Sequence, residues 1–179
     1  TPESNGQLDA PTEDWSEARL DKVQSEIIEG LTWWASVSPG ANVQYTYDIR
    51  RQVPTRYEPI NRNWNEDNLW ISDTLGNLGY SGADWWTRIR NYLNAIRSAN
   101  GTDWAVVVFV VDSWNDADGR FAPDSGGYRA FAYTWMGSGM ACIVMTYDND
   151  GWGSDSMNQV LAHEFGHCFG ACDEYEASG

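Results

Sequence analysis

The chain contains two histidines, and both fall in one short segment, His163-Glu164-Phe165-Gly166-His167. Residues four apart on an α-helix share a face, one turn above the other. Two imidazoles so placed can bind a single Zn²⁺ through nitrogen at about 2.0–2.1 Å. Glu164 follows the first histidine by one position, roughly 100° round a helix, which disfavours it as a third ligand. It can instead take a proton from a water at the metal and serve as general base. Gly170 sits where the helix must stop, and glycine tolerates the left-handed backbone that a sharp reversal needs. Such a turn lets Asp173 complete a three-ligand site with a fourth position left for water. Glu174 is the alternative third ligand, because a one-residue change in the turn exchanges the two. Tyr175 either stabilises an oxyanion near the metal or packs on the helix.

Two further acidic stretches carry a weaker signal. Asp112, Asp116, Asp118 and Gly119, with Asp124 nearby, place hard oxygen donors at alternating positions, a chemistry that suits Ca²⁺. Asp148, Asp150 and Gly151 form a second such group. Neither matches the twelve-residue helix-loop-helix calcium pattern, and solvated turns compete with both readings. Cys142, Cys168 and Cys172 are an odd number of thiols, open to one disulfide plus a free cysteine or to a partner cysteine outside the chain.

The elements that must position these residues follow from periodicity. Leu20, Val23, Ile27, Leu31 and Trp34 step by three and four, which predicts a helix over 13–35. Ser38-Pro39-Gly40 stops it. Val43, Tyr45, Tyr47 and Ile49 alternate with polar residues and predict a half-buried strand. A short helix through Ile71, Leu75 and Leu78 precedes a second with Trp86, Ile89, Leu93 and Ile96. Ser81-x-x-Asp84 has the spacing of a capping box before that second helix. The β-branched run Trp104–Val111 predicts a strand covered on both faces. Strands over 128–135 and 139–147 follow, joined at Gly137-Ser138-Gly139. A last helix starts near Ser156, where Ser156-x-x-Gln159 again has capping-box spacing. Residues 1–12 read as a loose lead-in to one domain over 13–179. The order implies an α/β (α+β) fold, a mixed sheet with helices packed on it and the histidine helix at its C-terminal end.

Composition bounds the function. With 179 residues the chain is long enough for its own core, and 14% aromatic residues exclude a wholly disordered chain. Lys and Arg number 11 against 26 Asp and Glu, a net charge of −15. That balance disfavours nucleic acid and anionic membrane surfaces, which need a basic stripe. No apolar run reaches the 18 or so residues of a membrane span, and the start Thr1-Pro2-Glu3-Ser4 does not have the pattern of a signal peptide.

The extended pattern His163-Glu164-x-x-His167-x-x-Gly170-x-x-Asp173 resembles the zinc-dependent metallopeptidases called metzincins. More narrowly, the segment from Tyr133 to Glu176 looks like a family of uncharacterised secreted bacterial proteins with H-E-x-G-H-x-F-G-A-x-D-E-Y. Segments 53–62 and 102–121 fit that family as well. The immunoglobulin-A-protease-like peptidases carry a similar motif ending in D-E-Y. The resemblance implies a secreted zinc endopeptidase acting on protein or peptide substrates. His163, His167 and Asp173 would hold Zn²⁺, with Glu174 still the alternative to Asp173, and Glu164 would be the base. It also implies an edge strand near 128–135 that pairs with an extended substrate, and raises the case for an ion at the 112–124 loop. Metzincins place a methionine turn and a small C-terminal subdomain downstream of the third ligand, whereas this chain ends at Gly179 and Met140, Met145 and Met157 all lie upstream. The resemblance therefore implies a lower cleft wall outside this chain, and weak peptide cleavage by the chain alone. A non-catalytic binding module keeping a structural metal, with four protein ligands, is the competing reading.

Overall fold

The computed structural model describes residues 1–122, 128–135, 140–149 and 152–173. Ser16 opens the first helix by accepting a hydrogen bond from the Arg19 amide, and α1 runs Glu17–Val37 with Leu20, Val23 and Leu31 buried along one stripe. Strands β3 (Ala105–Val111), β4 (Ala130–Trp135) and β5 (Met140–Thr146) form a sheet in the order β3-β5-β4, counting the short β1 and β2 described below. β3 is parallel to β5 and β4 antiparallel to it. Central β5 is buried at every position, as a strand covered on both faces must be.

Alternation along the strands divides the core in two. Val106, Val108 and Val110 of β3 and Ala141, Ile143 and Met145 of β5 face α1 and α4 (Met157–Cys168). Ala105, Phe109 and Val111, with Cys142 and Val144, face α2 (Asp67–Asn77) and α3 (Trp85–Asn100). The result is a mixed α and β protein in three layers, helices on both sides of a mixed sheet. α1 and α4 approach closely at Gly30, where an added Cβ would lie 2.6 Å from the Asn158 carbonyl oxygen. Among the described residues no helix is long and apolar enough to cross a membrane.

Four local expectations change. Residues 1–12 are not a loose lead-in: β1 (Pro2–Ser4) pairs in parallel with β2 (Val53–Thr55), and the Trp15 indole N–H donates to the Pro2 carbonyl at 3.0 Å. The segment Val43–Arg50 forms no strand, although its alternation has the right period, because among the described residues no strand pairs with it. Ser81 does not open α3; Asp84 does, accepting from the Thr87 amide at 2.7 Å. Ser156 makes no capping bond at α4, and the buried Glu26 of α1 accepts from the Asn158 amide at 3.1 Å in its place. Lys22 in turn ties Glu26 (2.8 Å) to Asp155 (2.6 Å), so the start of the histidine helix is fixed from α1. The Gly137-Ser138-Gly139 turn lies outside the described residues.

Candidate metal centre

α4 presents the two histidines on one face. Leu161, Phe165 and Cys168 point into the core, while His163 and His167 stay partly open to solvent. The helix is held from behind by Trp34, whose indole N–H donates to the Ala162 carbonyl at 2.9 Å and whose ring lies over Gly166. The helix then ends in a Schellman turn. Ala171 N–H donates to Gly166 O at 3.2 Å and Gly170 N–H to His167 O at 2.9 Å. Gly170 takes φ +85°, a left-handed conformation that other residues adopt only with strain. This reversal returns the chain toward the helix face and delivers Asp173.

Three donor atoms converge there. Nε2 of His163 and Nε2 of His167 are 3.0 Å apart, and Asp173 Oδ1 lies 3.0 Å from the first and 3.2 Å from the second. Ligands held tetrahedrally at about 2.05 Å from a zinc ion lie about 3.3 Å from one another. The observed triangle is within a few tenths of an ångström of that size. His167 Nδ1 is 2.8 Å from the Ala171 carbonyl oxygen, which can only accept, so Nδ1 carries the proton and Nε2 offers its lone pair. Two nitrogens and one carboxylate oxygen are a donor set that Zn²⁺ takes readily, and the fit in size and chemistry is good. Among the described residues this is the one group of three or more His, Cys, Asp or Glu close enough to hold an ion.

Glu164 sits beside this triangle, 8% exposed on the side of α4 that faces the protein. Burial pushes its carboxyl up to about 7, opposed by His167 and Arg129 and reinforced by the Asp173 carboxylate. A carboxyl so placed exchanges protons near neutrality.

The acidic loop after β3 is arranged differently. Asp112 pairs with Arg19 at 3.1 Å and accepts from the Trp114 amide. Asp116 accepts from the amides of Asp118 and Gly119, and Asp118 from that of Arg120. These carboxylates cap their own turn, and the described part of the calcium expectation, Asp112, Asp116 and Asp118, does not gather into one ligand set. Asp124, Asp150, Gly151, Glu174 and Tyr175 lie outside the described residues. Cys142 and Cys168 are buried thiols and Cys172 is an exposed one, and no two of the three are joined to each other. Burial raises the Cys142 and Cys168 thiols, the second to about 12, which keeps both protonated and inert at neutral pH.

Two contributors escape a sequence reading. The Ala171 carbonyl orients His167, and Glu26 anchors the helix from a distance of 132 positions. Neither has a local signal, apart from a charged residue standing within the apolar stripe of α1. Comparison with family models, with curated proteins and with solved structures finds no match to this chain.

Proposed function

We propose that the chain is a metzincin-like zinc endopeptidase. The observation that carries this reading is the triangle of His163 Nε2, His167 Nε2 and Asp173 Oδ1, with sides of 3.0 to 3.2 Å. Three protein ligands leave one position for water or substrate, the arrangement of catalytic rather than structural zinc. Zn²⁺ at such a site polarises a carbonyl and acidifies water.

The chain's own residues do the rest. His163, His167 and Asp173 hold the ion, and Ala171 keeps His167 in the ligating tautomer. Glu164 accepts the proton of the attacking water and hands it to the leaving amine. β4 is an edge strand of the main sheet and lies beside α4. Its outer edge can hydrogen-bond an extended peptide and hold the scissile bond over the metal.

Glu164→Ala tests the assignment. It should lower kcat/KM for an unstructured peptide by about 10²–10⁴-fold while zinc content stays near one per chain. Loss of the metal together with activity would mean that Glu164 is a ligand, and unchanged activity would end the reading.

A further inference from the structure

The outer edge of β3 faces a cleft of about 1160 Å³. Ile27, Leu31 and Phe165 form one wall, Leu78, Leu93 and Ile96 the other, and Val43–Arg50 closes the far side. The cleft therefore lies in the plane of the sheet, between the two helical layers, where a further strand would run.

Val43–Arg50 already has the course and facing of that strand. Tyr45 packs on Phe165 at 6.2 Å between ring centroids, Phe165 on Phe169 at 5.0 Å, and Phe169 on Trp104 at 5.0 Å. This chain of rings links Tyr45, through Phe165 and Phe169, to Trp104, the residue before β3. At the other end the Thr1 ammonium donates to the Arg50 carbonyl, and β1, which begins one residue later, lies beside β3. The Pro2 carbonyl holds Trp15, whose ring meets Tyr147, and the Tyr147 amide donates to the last residue of β3, Val111. The segment thus runs parallel to β3. Its faces match as well. Tyr45 turns to the α1 and α4 layer, as do Val106 and Val108 of β3, and Tyr47 stacks on Tyr45 at 6.3 Å between ring centroids. Asp48 turns to α3, where it accepts from the Tyr92 hydroxyl at 3.3 Å.

We infer that Val43–Arg50 is a strap that closes on the outer edge of β3 as a fourth, parallel strand. Two features drive the closure. Among the described residues, alternate backbone groups of β3 that point toward the cleft have no strand to pair with, a costly state beside apolar walls. Val43, Tyr47 and Ile49 are 43%, 39% and 46% exposed, surface that the closed strand covers in part. Tyr45, already packed on Phe165, ties the segment to α4.

Amide hydrogen exchange and cysteine pairing test this in the whole chain. With the strap closed, amides of 44–50 exchange at least tenfold more slowly than an unstructured chain. In a Cys172→Ser background, Tyr47→Cys combined with Val106→Cys or with Val108→Cys should crosslink under mild oxidation. Tyr47→Cys with Val107→Cys, which faces the other layer, should not. Random-coil exchange at 44–50 with β5 still protected, or crosslinking to Val107 as readily as to its neighbours, would overturn the proposal.

Discussion

Two regions of this molecule gather acidic or metal-binding side chains, and they do so in opposite ways. On α4 and the turn after it, three donor atoms come within 3.2 Å of one another. In the loop after β3, Asp112 pairs with Arg19 of α1, and Asp116 and Asp118, which lie close together, accept from the amides of their own turn. Composition does not separate them. The difference is rigidity and what else can satisfy the donors. A helix fixes the histidines at one-turn spacing, and a Schellman turn with Gly170 leaves Asp173 little choice of position. A loop carboxylate finds backbone N–H groups two and three residues on, and these occupy its lone pairs.

The contrast can be broken most severely at a ligand. His167→Ala should weaken zinc binding by more than the roughly 10–100-fold typical of outer partners, because it removes a direct bond. Competition against a chromogenic chelator measures this. Asp112→Ala, made in the loop, should leave zinc affinity unchanged; an equal loss in both variants would show that the regions are not independent.

The next effect concerns protons near the loop. Glu58 is 2% exposed and accepts from the Thr12 and Glu13 amides. Burial pushes its carboxyl up to about 7, with Glu3 and Glu13 adding repulsion. The folded state therefore holds this proton more tightly than the unfolded chain. The associated stability is complete below about pH 4.5 and is lost as pH rises through about 7, by up to about 3 kcal/mol. Glu58→Gln keeps an acceptor without the charge, and should reduce the fall in denaturation midpoint across that window, with Glu3 and Glu164, also raised to about 7, supplying the rest. A wild-type midpoint that rises from pH 5 to pH 7 would contradict the direction.

Gly170→Ala sharpens the argument about rigidity. A Cβ at φ +85° costs about 1–2 kcal/mol, and a distorted turn moves Asp173. Both the denaturation midpoint and zinc affinity should fall, whereas Gly40→Ala, in open space at ordinary φ, should change neither. The smallest effect separates the ions. Zinc at a hundredfold excess over its dissociation constant adds about 2.7 kcal/mol. Calcium should shift the melting temperature by less at the same concentration, and a larger calcium shift would place the stronger site in the loop.

What the sequence made legible was mostly local. The spacing of His163 and His167 and the stop at Gly170 depend on neighbours within a few positions, and the structure carries both. The run Trp104–Val111 becomes a strand from Ala105, but not one covered on both faces: among the described residues it is an edge of the sheet, with Val106–Val108 half-buried and Trp104 exposed. Asp173 meets the histidines directly, and its alternative, Glu174, lies outside the described residues. Pairing partners were hidden. Pro2–Ser4 has no strand pattern of its own and becomes one by meeting Val53–Thr55. Val43–Ile49 has the pattern without the pairing. Glu26 stands as a charge within the apolar stripe of α1, and only the packing of α4 shows its purpose: its carboxylate accepts from the Asn158 amide, while Ser156 makes no capping bond.

The central claim is that a helix and its cap pre-form a three-ligand zinc site. X-ray absorption at the zinc edge on protein loaded with one equivalent tests it most directly. The account predicts stoichiometric zinc with two imidazole nitrogens at about 2.0–2.1 Å and oxygen from a carboxylate and water. Substoichiometric zinc, or a sulfur neighbour at about 2.3 Å from Cys172, would contradict it.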